Sequence, residues 1–322
     1  MREIVAVTLA LAVALPAWGA EIDGVTSRRV VLGDSTRHLD RWTNERLRRG
    51  VDRANARGEA CDEEALYDEL RRAISSPFIG HLVAEELNAD PELDSRRIPL
   101  RDSIYRDLGL FDAVSVHVKN LSAVVRMSDH VVGVDKLGHF FVQGWKYFDI
   151  AYREGDGVPA AASWGERSER SYFGLYTTGI YSHADLVANL EGMRFWLRIL
   201  GDAADPLDEG YFRNRPYVAC RRRLVFGERR WRVRRKVRLR HYVTGAWDEA
   251  INCCDYRSPE IRALVEGRIE EQASLDGVSY ACPLEPAACV AAKERYGALA
   301  DRLLHPRCLA AEGQRRPWWK FW

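Results

Sequence analysis

Apolar residues that recur every three or four positions predict that most of the first 200 residues are helical. The segments with this spacing are 36–57, 62–74, 102–127, 136–153 and 183–200. A stretch rich in Gly, Pro and Ala, 155–163, is predicted to be a loop between the last two of them. We therefore predict a helical domain over residues 21–200.

Beyond this domain the period changes from helical spacing to strict alternation. Over residues 231–243, apolar side chains alternate with basic ones, which predicts a strand with a basic outer face, paired with 217–226 in a hairpin. Helical spacing resumes over 247–275. The whole pattern predicts a mainly α fold: a helical bundle core with a small β-hairpin and a disulfide-containing C-terminal region over 201–322.

The N-terminus has the pattern of a secretory signal peptide over residues 1–20. Arg2 gives a positive start, an apolar run follows over 4–15, and small residues come next. That run is shorter than the ~20 apolar residues of a membrane span. We expect cleavage near Gly19 or Ala20 and a mature protein in the periplasm or another extracytoplasmic compartment.

Cysteine usage fits an oxidising compartment. The chain has seven cysteines, of which six lie in the last third while Cys61 stands alone near the start. The CxxC spacing typical of metal sites is absent. We predict disulfides with one thiol left over, and the pairing stays open.

Two features favour a charged or membrane partner in the envelope. Residues 221–240 hold eleven basic side chains and one acid. The outward-facing ones predicted to contact anionic lipid or envelope polysaccharide are Arg230, Arg232, Arg234, Lys236 and Arg238. The second feature is an aromatic C-terminal tail, predicted to contact a membrane interface through Trp318, Trp319 and Trp322. The alternatives are a solvated basic face and Trp residues docked on the protein itself; nucleic acid is not an expected partner outside the cell.

Two predicted helices carry polar residues that could form one site. Asp135, His139 and Gln143 follow one face of the first, and Asp185 and Asn189 follow the border of the second. A glycine one turn later lets another helix approach closely. A His held between carboxylates is typical of a general base.

The same residues also fit a structural interpretation. Asp135 is a good N-cap for a helix that starts at Lys136, and Ser182 with Asp185 has capping-box spacing. Asp248 and Glu249 open a later predicted helix, so capping competes there with a role in the site. Adjacent Ser182 and His183 cannot pair as nucleophile and base, so a serine hydrolase would need His139.

The order Asp135-Lys136-x-x-His139-Phe140, then Ser182-x-x-Asp185-x-x-x-Asn189-x-x-Gly192, resembles the pattern shared by VanZ-like membrane proteins and small periplasmic lipoproteins of the YfiM type. The resemblance covers roughly residues 130–200. It implies a helical pair with a polar pocket in an envelope setting, and it supplies no reaction. The helices here are too polar to span a membrane, so that topology does not carry over.

Two hypotheses follow for function. The first is an exported, envelope-associated helical protein of undetermined activity, in which the polar residues lock two helices together. The second is an envelope hydrolase or transferase acting on a lipid-linked or cell-wall substrate, with His139 as general base. The candidate catalytic residues are His139, Asp135, Asp185, Asn189 and Ser182. The candidate binding residues are Lys136, Gln143, His183, Asp248, Glu249 and Asn252. The sequence predicts neither a metal nor a cofactor. A pocket open to solvent beside His139 would favour the enzyme, and a closed one the lock.

Overall fold

The computed structural model has helices packed around one large apolar core, with three small antiparallel sheets at its edges. It describes residues 21–312 except 59, 75–80, 172, 208–209, 211–214 and 223–226. The predicted leader and the Trp tail therefore lie outside the described residues.

The helices, numbered along the chain, are α1 Thr36–Ala56, α2 Glu63–Ile74, α3 His81–Asn88, α4 Val114–Lys119, α5 134–153, α6 Val158–Glu169, α7 His183–Leu200, α8 Pro259–Asp276, α9 Pro286–Tyr296, α10 Ala300–Leu303 and α11 Pro306–Leu309. The strands are β1 Ser95–Arg96, β2 Val124–Met127, β3 His130–Gly133, β4 Ile180–Ser182, β5 Val218–Arg222, β6 Arg229–Val233 and β7 Cys254–Tyr256. Strands β1–β2–β3, β4–β7 and β5–β6 form the three sheets.

The mainly α prediction is confirmed, and α1, α2, α5 and α7 lie where the apolar spacing placed them. The predicted helix over 102–127 is wrong. The only α-helix in this segment is the short α4. It ends before Asn120, which has a positive φ, and the chain then enters strand β2. The β-branched side chains of Val124 and Val125 suit this strand. The predicted loop over 155–163 is also wrong in its second half, because Pro159 lies in the first turn of α6, where a missing N–H costs nothing.

Helices α5 and α7 approach each other at two glycines. A Cβ on Gly192 would lie 1.9 Å from the carbonyl oxygen of Phe140, and one on Gly144 would lie 2.5 Å from Gly192 Cα. In the same region α5 adopts a π-helical turn over His139–Gln143. The Phe141 carbonyl within this turn accepts a hydrogen bond of 2.8 Å from Trp196 Nε1 of α7. The close crossing brings the polar edges of both helices together.

Three disulfides link the described residues: Cys61–Cys220, Cys253–Cys282 and Cys289–Cys308. The thiol left over among the described residues is Cys254, and the cysteine that stood alone in the sequence pairs across 159 residues with the hairpin. Disulfides of this number favour an oxidising, extracytoplasmic compartment. None of the described helices has both the length and the apolar character needed to cross a bilayer.

The basic hairpin is formed, with a shorter second strand than the alternation indicated. Strands β5 and β6 pair antiparallel with Cys220 opposite Trp231. Beyond Val233 the chain leaves the sheet, although Val237 and Leu239 remain buried. Of the basic side chains in the outer stripe, Arg238 pairs with Asp40 at 3.3 Å.

Candidate functional site: a buried ion cluster below a cavity

Lys136 is the centre of a buried ion cluster between α5, α7 and the segment before β7. Its Nζ lies 2.8 Å from Asp135 Oδ2, 2.6 Å from Asp185 Oδ1 and 2.5 Å from Glu249 Oε1. The lysine is 0% exposed. An ammonium without water needs such partners, because an unpaired buried charge costs several kcal/mol. Asp135, Lys136 and Asp185 belong to the two predicted motifs. Glu249 lies 113 residues from Lys136 along the chain.

His139 extends the cluster on the α5 side and is 4% exposed. Its Nε2 lies 3.0 Å from Asp185 Oδ2, and its Nδ1 lies 3.2 Å from Asn189 Oδ1. Burial by itself lowers the pKa of His139, but the Asp185 carboxylate outweighs burial and leaves this pKa above its ordinary value. An imidazolium can donate to both acceptors at once, whereas a neutral ring can donate to only one.

Glu249 and Asp185 respond in opposite ways to the same surroundings. Burial raises the pKa of Glu249 to about 7, although the Lys136 ammonium opposes the rise. Burial also acts to raise the pKa of Asp185, but His139 and Lys136 together hold it well below the ordinary value. Glu249 Oε1 in addition accepts a hydrogen bond of 2.9 Å from Ser182 Oγ. Within the cluster Asp185 is thus firmly ionised, whereas the carboxyl group of Glu249 titrates near neutral pH.

Two further buried acids, Glu21 and Glu169, lie within electrostatic range of the cluster. Burial raises the pKa of each well above the ordinary value, and the nearby cluster carboxylates raise it further. The motif spacing predicted neither residue. Glu169 ends α6 and Glu21 directly follows the predicted leader, so only tertiary folding brings them here.

A cavity of about 460 Å³ opens beside Glu249. Its apolar wall includes Val25, Ile104 and Ile269, and polar groups come from Tyr105 and the free thiol of Cys254. Neither His139 nor Lys136 lines it. Glu249 is therefore the cluster residue through which the cavity reaches the buried charges.

A second polar cluster joins His183 at the start of α7 to Asp255 of β7 and His305. The two His Nε2 atoms lie 3.1 Å and 3.4 Å from the two oxygens of Asp255. His305 Nδ1 accepts a hydrogen bond from the backbone N–H of Arg307. Its Nε2 must then carry the proton, which points at Asp255. This set is accordingly a hydrogen-bonded triad tying three segments together.

The structure brings Asp135, Lys136, His139, Ser182, Asp185, Asn189 and Glu249 into one cluster. The remaining candidates lie elsewhere. His183 belongs to the triad, and Asp248 pairs with Arg28. Asn252 binds backbone groups of Ala246, Leu303 and His305. Gln143 is half-buried, and its Oε1 has no hydrogen-bond partner among the described residues.

None of the predicted caps is formed. The helix predicted from residue 247 begins only at Pro259, so Asp248 and Glu249 do not cap it. The predicted caps of α5 and α7 are not formed by their side chains either. Ser182 makes no capping hydrogen bond to α7, because its hydroxyl donates to Glu249 instead. Asp135 lies inside the first turn of α5 and not before it. The capping interpretation of these two residues is thus replaced by membership of the ion cluster.

No protein-family model, curated protein or solved structure matches the chain. The resemblance to VanZ-like and YfiM-type proteins therefore stays a prediction carried by the two motifs.

Proposed function

We propose that the chain is an extracytoplasmic binding protein that takes a small ligand into the cavity against Glu249. The observation that carries this proposal is that Glu249 belongs both to the buried ion cluster and to the lining of the cavity. Its carboxylate is fixed from behind by Lys136 and Ser182, and the same residue lines the cavity. A concave, partly apolar pocket with a perturbed carboxyl group is the usual setting of a ligand site.

The cavity wall indicates the chemistry of the ligand. Three carboxylates line it, those of Glu249, Glu266 and Glu270, against the single guanidinium of Arg307. That guanidinium already pairs with Glu266 at 3.2 Å. The excess of negative charge favours a cationic or hydrogen-bond-donating head group, and the apolar wall favours a hydrophobic body.

In this proposal the buried ion cluster has a structural role. It connects α5, α7 and the segment carrying Glu249, so it fixes the floor of the cavity. The closed surroundings of His139 support this role, since a substrate cannot reach a buried imidazole that does not line the cavity.

A second candidate function, an envelope hydrolase or transferase, is supported by one observation. A carboxyl group with a pKa of about 7 on a residue that lines a cavity suits general acid–base catalysis at neutral pH. The base in such an enzyme would be Glu249, because His139 is held as a buried donor between two acceptors.

The proposed envelope setting rests on the disulfides and on the exposed basic side chains of the hairpin. Arg230, Arg232, Arg234 and Lys236 are exposed and lie on or just beyond β6. We propose that this stripe contacts anionic lipid or polysaccharide, which leaves the cavity free for the small ligand.

Dansylcadaverine, an amine with an apolar fluorophore, tests the cavity directly. We expect saturable fluorescence enhancement with the wild-type protein at pH 8, and weaker binding of the anionic analogue dansylglycine. Glu249→Gln should weaken amine binding about tenfold, since a charge-assisted hydrogen bond contributes about 1.5 kcal/mol or more.

Two tryptophan variants provide the matched control. Ala273 lines the cavity, so Ala273→Trp should fill it and abolish binding. Leu275 lies two residues further along α8 and is exposed, so Leu275→Trp should bind as the wild type does. Equal binding in both variants, or no binding to the wild type, would contradict the proposal.

A further inference from the structure

We propose that His139, Glu169 and Asp185 bind a divalent cation of the Mn²⁺ or Zn²⁺ type below the cavity. The sequence alone predicts no metal, because only one His belongs to the motif. The inference does not depend on ligand binding at Glu249, and it rests on the charges, geometry and unpartnered atoms of the buried cluster.

Acidic groups outnumber cations in this part of the interior. The buried acids are Glu21, Asp135, Glu169, Asp185 and Glu249. Lys136 is the buried ammonium among them, and His139 adds a second positive charge only while its ring is protonated. Carboxylates in such excess must either hold protons or face a further cation, since isolated buried charges are very costly.

The ligand atoms are close enough for one ion. One atom from each of His139, Glu169 and Asp185 lies within 4.8 Å of the other two. Ligand atoms that bind one tetrahedral ion at about 2.1 Å lie about 3.4 Å apart. Small side-chain rotations would therefore bring the three groups around one ion.

The tautomer of His139 suits a metal ligand. Its Nδ1 can donate to Asn189 Oδ1 at 3.2 Å. Nε2, which faces Asp185 Oδ2 at 3.0 Å, would then give up its proton and coordinate the ion. Such a hydrogen bond from the second ring nitrogen is typical of metal-bound histidines. His305 of the triad has the reverse arrangement, because its Nδ1 already accepts a backbone hydrogen bond. His139 can therefore coordinate a metal through Nε2, whereas His305 cannot.

Glu169 provides the second, independent observation. It is buried, and its Oε1 has no hydrogen-bond partner among the described residues. The two carboxylate oxygens of Asp185 have different partners: Oδ1 faces Lys136 and Oδ2 faces His139. One imidazole with two carboxylates favours Mn²⁺ or Zn²⁺ over Ca²⁺, which takes six or more oxygen ligands.

Metal analysis of the intact protein tests the inference. The chain is unfolded in guanidinium and EDTA with its disulfides left oxidised, then refolded with Mn²⁺, with Zn²⁺ or without metal. After gel filtration, we expect about one ion of Mn²⁺ or Zn²⁺ per chain and a higher melting temperature than in the metal-free sample.

Glu169→Gln separates a metal ligand from a protonated acid, because glutamine has nearly the shape of a neutral carboxyl group but no charge. We expect this variant to fold and to retain less than about a tenth of the metal, as loss of a charged ligand predicts. Glu45→Gln, at an exposed position of α1, should retain all of it.

Metal-free wild type with an unchanged melting temperature would overturn the proposal, and would mean that protons alone balance the acids. Equal metal content in Glu169→Gln and the wild type would also overturn it, because the ion would then lie elsewhere. Binding of dansylcadaverine is scored separately, so failure of either proposal leaves the other one testable.

Discussion

Replacing Lys136 with methionine lowers the free energy of unfolding by about 3–5 kcal/mol at neutral pH. Methionine fills a similar volume but removes the ammonium that faces Asp135, Asp185 and Glu249. Those carboxylates would then repel each other in a site without solvent. Because they cannot all remain ionised, the variant should also lose stability more steeply as the pH rises.

Urea denaturation of Lys136→Met and Lys146→Met, followed by circular dichroism, measures this effect. Lys146 lies on the same helix and pairs with Asp149 and Glu154, but it is partly exposed. Exposed pairs contribute at most about 1 kcal/mol, so the control variant should stay close to wild type. A similar small loss in both variants would show that the buried ion cluster is not what holds α5 and α7 together.

Replacing Gly192 with alanine costs about 3 kcal/mol or more, because the helix crossing has no space for a methyl group. The added Cβ would meet the Phe140 carbonyl oxygen at 1.9 Å and Gly144 Cα at 2.9 Å. Both are backbone atoms, so the helices must separate for the side chain to fit. Separation would also stretch the contacts of His139 with Asp185 and Asn189, which join the same two helices.

Gly267→Ala is the matched control for this substitution. Gly267 lies within α8, and nothing lies within 4 Å of the Cβ position. Alanine is the better helix former there and should stabilise the protein by about 0.5–1 kcal/mol. If thermal melting places Gly192→Ala within about 1 kcal/mol of the wild type, the crossing is looser than this packing implies.

Helical periodicity was sufficient to predict the elements that carry the motifs. Helices α5 and α7 each combine an apolar stripe with a polar edge, and the motif spacing placed His139, Asp185 and Asn189 on facing edges. The structure joins these residues as that spacing predicts. Local pattern works here because both helices are long and their contact is made by residues at regular intervals.

The remaining members of the cluster depend on contacts that local pattern does not encode. Glu249 meets Lys136 across 113 residues, and Glu169 comes from a helix whose Gly/Pro/Ala-rich start was predicted to be a loop. An isolated Glu in a sequence has the same appearance whether it is exposed or buried. Only the packing of α6 against α5 and α7 makes Glu169 an interior acid.

Burial at the floor of the cavity raises the pKa of Glu249, although the Lys136 ammonium opposes the rise. With a pKa of about 7 in the folded chain, against 4.5 for an unperturbed side chain, Glu249 holds a proton more tightly when folded. The stability of the wild type therefore contains a contribution that is present below about pH 4.5 and is lost as the pH rises through about 7. Each pKa unit corresponds to about 1.4 kcal/mol, so the loss is on the order of 3 kcal/mol.

The most direct test is the free energy of unfolding of the wild type and Glu249→Gln, measured by urea denaturation at intervals from pH 5 to pH 8. Glutamine cannot ionise, so the variant lacks this pH-dependent term. We expect the stability of the variant relative to the wild type to rise by about 2–3 kcal/mol across this range. Parallel curves would contradict the account, because Glu249 would then titrate as an ordinary carboxyl group. A relative stability that falls with pH would also contradict it, because folding would then lower the pKa of Glu249.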